Sequence, residues 1–129
     1  MLPGEQISKA FLEPSFVEYD DCVFFESRFS RESYQFWLEN FQERGKGKGA
    51  IEGHLNSVPV HELFLDKPSE LTASIAKEAG RMVLDVWQTK LRLDFPGRSF
   101  EFKFSLGAPA RHSLITFYQA KHKPSLFSD

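Results

Sequence analysis

One cysteine, Cys22, is all the thiol this chain contains. It excludes an internal disulfide and any zinc site built on several thiolates. Long apolar runs are equally scarce: none approaches the ~20 residues that a membrane helix requires. The first residues show no charged segment followed by an apolar stretch of the signal-peptide kind. These absences make a cytoplasmic protein the expectation. Catalytic signatures are missing too. No serine stands in a nucleophile-elbow pattern, no carboxylate pair has glycosidase character, and His61-Glu62 lacks a second histidine four residues on. The sequence points away from an enzyme, and no cofactor or metal is expected.

Aromatic residues, by contrast, are abundant, with 14 phenylalanines among 129 residues. Rings of that size bury a large area each, so they call for a well-filled core or an interface. The length suits one domain able to bury such a core without staples, and the apolar and charged fractions are those of ordinary globular chains. Charge is unevenly spread. Residues 1–66 hold 12 acids against 6 bases, and residues 67–129 hold 6 acids against 10 bases. A folded chain interleaves such halves on one surface, so the asymmetry does not by itself define a binding face.

Read in order, residues 1–13 offer a short N-terminal helix with Ile7 and Phe11 one turn apart, ended by Pro14. Phe16–Tyr19 reads as extended, Asp20-Asp21 as a turn, and Val23–Phe29 as a strand. Ser30 then caps a helix over 30–44, with Tyr34, Trp37, Leu38 and Phe41 on one face and Gly45 as its stop. Gly45-Lys46-Gly47-Lys48-Gly49 reads as a flexible linker. Ala50–Leu65 mixes helical and extended signals and is read as a short helix followed by an extended or edge segment containing Pro59. Asp66, Pro68 and Ser69 open a long amphipathic helix over 69–93 with Gly80 in its middle, where another element can approach closely. Ser99–Ser105 alternates Phe100, Phe102 and Phe104 with charges, and Ser113–Ala120 is its antiparallel partner. Residues 121–129 read as a loose polar tail. The whole predicts a single α+β domain: a mainly antiparallel sheet of about four strands, with the two main helices packed on one face.

Three stretches carry candidate chemistry. Glu52, His54, Asn56, His61 and Glu62 gather histidine and carboxylate, the groups used for proton transfer and for nitrogen–oxygen metal sites. In a helix, Glu52 and Asn56 share a face and His54 points elsewhere. Lys46 and Lys48 among glycines are a weak phosphate-binding candidate, although the Ser or Thr that follows a P-loop lysine is absent. The Phe100, Phe102 and Phe104 face, with Arg98, Lys103, Arg111, Lys121 and Lys123 nearby, resembles a stacking platform for single-stranded nucleic acid. The amphipathic helices compete for that same face, and a core role is the simpler expectation. Cys22 beside Asp20 and Asp21 is poorly placed to ionise.

The sequence does not by itself disclose what the protein does. The leading expectation is a small non-enzymatic interaction or accessory protein, with a homodimer as one form and no membrane or nucleic acid as partner. The alternative is a small-ligand-binding or hydrolytic protein using Glu52, His54, Asn56 and His61. Single-stranded nucleic-acid binding through the phenylalanine strand comes third.

Overall fold

Asp20 and Asp21 both adopt left-handed backbone angles, φ 53° and 64°. Two such residues form the tight turn whose twist matches that of paired strands, and aspartate tolerates it better than most side chains. The turn joins β1 (Phe16–Tyr19) to β2 (Cys22–Phe25), with Phe16 opposite Phe25 and Tyr19 opposite Cys22. The computed structural model describes residues 7–65 and 71–122. Ahead of the hairpin only one helical turn is described, α1 (Lys9–Leu12), capped by Ser8. Ile7, expected one turn before Phe11 on the same helix, instead forms an isolated antiparallel bridge with Phe64, and residues 1–6 lie outside the described residues. The strand expected to reach Phe29 stops at Phe25. Its partner β1 begins just after Pro14 and Ser15, so beyond the Glu26 amide, which bonds the Ser15 carbonyl at 2.9 Å, no ladder remains. Glu26–Arg28 coil into a 3-10 turn instead.

α2 (Arg31–Glu43) follows its sequence signals closely. The Ser30 hydroxyl accepts from the Ser33 amide at 3.1 Å. At the other end Gly45, at φ 72°, lets the Gly45 and Lys46 amides bond back to the Gln42 and Phe41 carbonyls at 3.0 and 2.8 Å. The supposed linker is shorter than its composition suggests, because α3 (Lys48–Leu55) begins inside it. β3 (Val58–Pro59) follows, then a 3-10 turn at Val60–Leu63. Pro59 is tolerated because β3 is an edge strand in the order β3-β5-β4.

The long helix, α4 (Ala73–Asp94), is capped by Thr72, whose hydroxyl accepts from the Ile75 amide at 3.2 Å. The helix thus begins later than the expected 69, since Leu71 and Thr72 are not helical; Asp66, Pro68 and Ser69 themselves lie outside the described residues. Gly80 does admit a neighbour: a β-carbon there would lie 2.6 Å from the Phe104 ring terminus. Phe104 belongs to β4 (Phe100–Ser105), which pairs antiparallel with β5 (Leu114–Gln119), Phe102 facing Phe117.

All four residues of β2 are buried. A strand covered on both faces needs two cores, and the fold supplies them. Val23 and Phe25 pack with Ile115 and Phe117 under Ala76, Ala79, Val83, Trp87 and Leu91 of α4. Cys22 and Phe24 pack with Tyr34, Phe41, Ala50 and Ile51 on the other side. Trp87 is fully buried 4.8 Å from the Phe25 ring, and its indole N–H donates to the Phe11 carbonyl at 3.0 Å. The α+β class is as expected. Instead of one sheet of about four strands there are, among the described residues, two small antiparallel sheets, of two and three strands. α4 covers the phenylalanine face of β4, whereas α2 packs on α3 and the second core.

Candidate functional site

α3 aims Glu52 and Asn56, one helical turn apart, between β2 and β5. Both side chains are fully buried. One Glu52 oxygen, Oε2, accepts from the Val23 backbone amide and from the Gln119 side-chain amide, each at 2.8 Å. The other, Oε1, accepts from the Gln119 backbone amide at 2.7 Å. Asn56 Nδ2 donates to the Val23 carbonyl at 2.8 Å and to the Phe117 carbonyl at 3.3 Å. Together the two side chains stand in for the backbone ladder that β2 and β5 lack, which is why neighbouring strands belong to different sheets. A buried carboxylate is stable only when donors replace its lost water, and here three donors do so at short range. Asn56 Oδ1 is the one buried side-chain oxygen among the described residues with no hydrogen-bond partner.

Polar groups continue outward from Glu52. His122, on the 3-10 turn Ala120–His122, brings Nδ1 to 3.3 Å from Glu52 Oε1 and Nε2 to 3.5 Å from Asp21 Oδ2. Its turn can approach because Gly49 has no side chain: a β-carbon there would overlap the His122 carbonyl group. Asp21 also meets Lys121 at 2.9 Å, and Arg98 bridges Glu18 at 2.6 Å to the Gln119 side-chain oxygen at 3.3 Å. Across the turn, Asp20 accepts from the Tyr34 hydroxyl and pairs with Lys48 at 3.3 Å. These contacts hold both turn carboxyls below the usual range, chiefly through the Tyr34 bond for Asp20 and the Lys121 bond for Asp21. Cys22 lies at the inner end of the cluster, and burial, then the Glu52 charge, pushes its thiol up to about 12. A thiol held protonated in this way is no nucleophile at neutral pH.

Of the residues singled out in the sequence, the fold unites Glu52 and Asn56 and separates the rest. His54 leaves the opposite side of α3, its ring centroid 4.2 Å from that of Trp37 and tilted 55° to it. His61 meets the Arg111 carbonyl at 3.3 Å, and Glu62 pairs with Arg28 at 3.6 Å. Lys48 is engaged by Asp20, and Lys46 closes the end of α2. The Phe100, Phe102 and Phe104 side chains pack against the α4 core, leaving them only partly accessible. Sequence reasoning missed Gln119, His122 and Asp21. The faint signal for the first was a glutamine ending an otherwise apolar strand.

Two clefts lie elsewhere. One of about 350 Å³, between α4 and β4, is lined by Gln88, Arg92, Arg98, Ser99 and Phe100 among others. A second, of about 380 Å³, runs between α1 and α4 past Leu12, Pro14, Val86 and Leu93, rimmed by Glu13, Asp85 and Lys90. Neither is lined by Glu52, Asn56 or His122. Among the described residues no helix is long and apolar enough to cross a membrane. Comparison of the chain with models of protein families, with curated proteins and with solved structures finds no significant match.

Proposed function

We propose that this chain is a small, non-enzymatic accessory protein of the cytoplasm that works by binding protein, and that its partner is a second copy of itself. The observation that carries this reading is Leu93, 74% exposed at the mouth of the apolar groove of Leu12, Pro14 and Val86. A large aliphatic side chain beside an open apolar trough is a surface that gains by being covered. The rim carries both signs of charge, Glu13 and Asp85 against Lys90. A two-fold pairing can therefore seat each Leu93 in the other copy's trough and set opposite charges across the rim. The non-enzymatic part rests on the inner members of the polar cluster, Glu52, Asn56 and His122, which line neither cleft.

Burying one leucine is worth roughly 1.5–3 kcal/mol, and two-fold symmetry counts it twice. Leu93→Glu should therefore weaken dimerisation at least a hundredfold, while at concentrations where both chains are monomeric the melting temperature stays within a degree or two, because the side chain contributes little to the monomer. Sedimentation equilibrium across a wide concentration range reads this directly. A chain that stays monomeric throughout would sink the proposal. The ligand-binding alternative on Glu52, His54, Asn56 and His61 has less support, because His54 lies against Trp37 and His61 against the Arg111 carbonyl, apart from the buried Glu52 and Asn56.

A further inference from the structure

We propose that Cys22, Glu52 and His122 bind a divalent zinc-type cation where β2, α3 and the turn that follows β5 meet. The sulfur, oxygen and nitrogen atoms of the three residues lie within 4.8 Å of one another. Tetrahedral zinc, with bonds of about 2.0–2.3 Å, holds its ligands roughly 3.3–3.8 Å apart, so closure asks for about 1 Å of movement. The donors come from three elements far apart in sequence, so the folded chain assembles the set.

The strongest argument is the position of the His122 ring between two carboxylates. His122 Nδ1 faces the Glu52 carboxylate at 3.3 Å, and its Nε2 faces the Asp21 carboxylate at 3.5 Å. A neutral imidazole carries one N–H and can serve only one of them. The other contact then sets lone pair against lone pair, unless a second proton or a metal ion lies between. With the N–H on Nε2 turned to Asp21, Nδ1 is free to ligate, and the carboxylate–histidine–metal relay common around zinc is complete. Glu52 is already oriented for the task. Val23 and the Gln119 side chain occupy Oε2, and the Gln119 backbone amide takes one lone pair of Oε1, leaving the other for the ion.

Charge and donor softness agree. On binding, the Cys22 S–H bond breaks, its proton leaves to solvent and a sulfur–metal bond forms. Thiolate and Glu52 carboxylate then balance the dication, with His122 neutral. One sulfur, one imidazole and one carboxylate suit zinc or cobalt and not magnesium or calcium, which take oxygen ligands. The His122 side chain is 12% exposed, giving the ion an edge by which to enter and water a place to complete the coordination.

The full chain, stripped with chelator, should take up one Co2+ with a near-ultraviolet thiolate-to-cobalt absorption that Zn2+ abolishes by displacement. Cys22→Ser should remove that band. Asp21→Asn, a surface change that leaves all three ligands in place, should keep the band and weaken Zn2+ binding about 10–100-fold. Absence of the band in the intact protein, or Zn2+ affinity unchanged by both Cys22→Ser and His122→Ala, would overturn the proposal. So would nuclear magnetic resonance showing a doubly protonated His122 at neutral pH with Zn2+ present, because a proton would then hold the place assigned to the ion.

Discussion

Replacing Glu52 by glutamine turns one oxygen of a buried carboxylate into an NH2 group and leaves its size unchanged. No orientation of the new side chain satisfies the pocket. Nitrogen at the Oε2 position would confront two donors, the Val23 amide and the Gln119 side-chain amide. Nitrogen at the Oε1 position confronts the Gln119 backbone amide, with His122 Nδ1 at 3.3 Å as an acceptor for only one of its two N–H groups, and is the lesser fault. A buried N–H left without an acceptor costs about 1–3 kcal/mol. The two surviving bonds weaken as well, since a charged acceptor is worth about 1.5–3 kcal/mol per bond against about 0.5–1.5 for a neutral one. Relief from desolvating a charge offsets part of this. The net expectation is a loss of about 3 kcal/mol, a large share of the roughly 5–15 kcal/mol that holds a domain together. At this chain length that corresponds to about 10 °C in melting temperature.

Chemical denaturation followed by tryptophan emission is the assay, because Trp87 is fully buried in the core that β2 and β5 share. It should be run with chelator present, so that no bound cation contributes. A loss below about 1 kcal/mol would refute the reasoning. Glutamine can replace Glu52 without penalty only if the carboxyl group is protonated and already donates from one oxygen.

Two further outcomes follow from neighbouring residues. Gly49→Ala should destabilise by about 2–4 kcal/mol although alanine is the better helix former by about 1 kcal/mol, because the new β-carbon meets the His122 backbone 2.6 Å from its carbonyl carbon; Gly97→Ala, facing open space outside any helix, is the control and should stay within about 0.5 kcal/mol by the same denaturation assay. Burial against Trp37 holds the His54 pKa below its ordinary 6.5. Its contribution is therefore fully present above that value and is lost as pH falls from 6.5 toward the lowered one. His54→Gln should flatten the pH dependence of stability in that window, where one proton contributes a slope of at most about 1.4 kcal/mol per pH unit; an unchanged slope would show that His54 is not the titrating group.

Features set by near neighbours were legible in the sequence. Ser30 and Gly45 bound α2 because a cap answers to amides and carbonyls within four residues. The alternation of Phe100, Phe102 and Phe104 was legible as a half-covered strand for the same reason. Glu52 and Asn56 were correctly placed on one helical face, but an acid and an amide on a short helix read as a solvent face. What turns them inward is donors 29 and 67 residues distant, two of them backbone amides that no residue type announces. Gly49 misled similarly. Among lysines and glycines it suggested slack, whereas its role is set by a carbonyl 73 residues further along. Thr72 was passed over because Ser69 and Asp66 offered the same capping chemistry.

The side-chain seam between β2 and β5 also governs how the chain reaches its folded state. A backbone ladder accepts slipped registers, since every second residue offers the same pair of groups. One carboxylate and one carboxamide on a helix accept a single alignment, and act as a key cut for one lock. Until residues 117–119 arrive, Glu52 and Asn56 have nothing to join β2 to, and the hairpin keeps an open edge of the kind that recruits other chains. A fragment ending before Phe117 should be an aggregation-prone species and not a smaller stable domain.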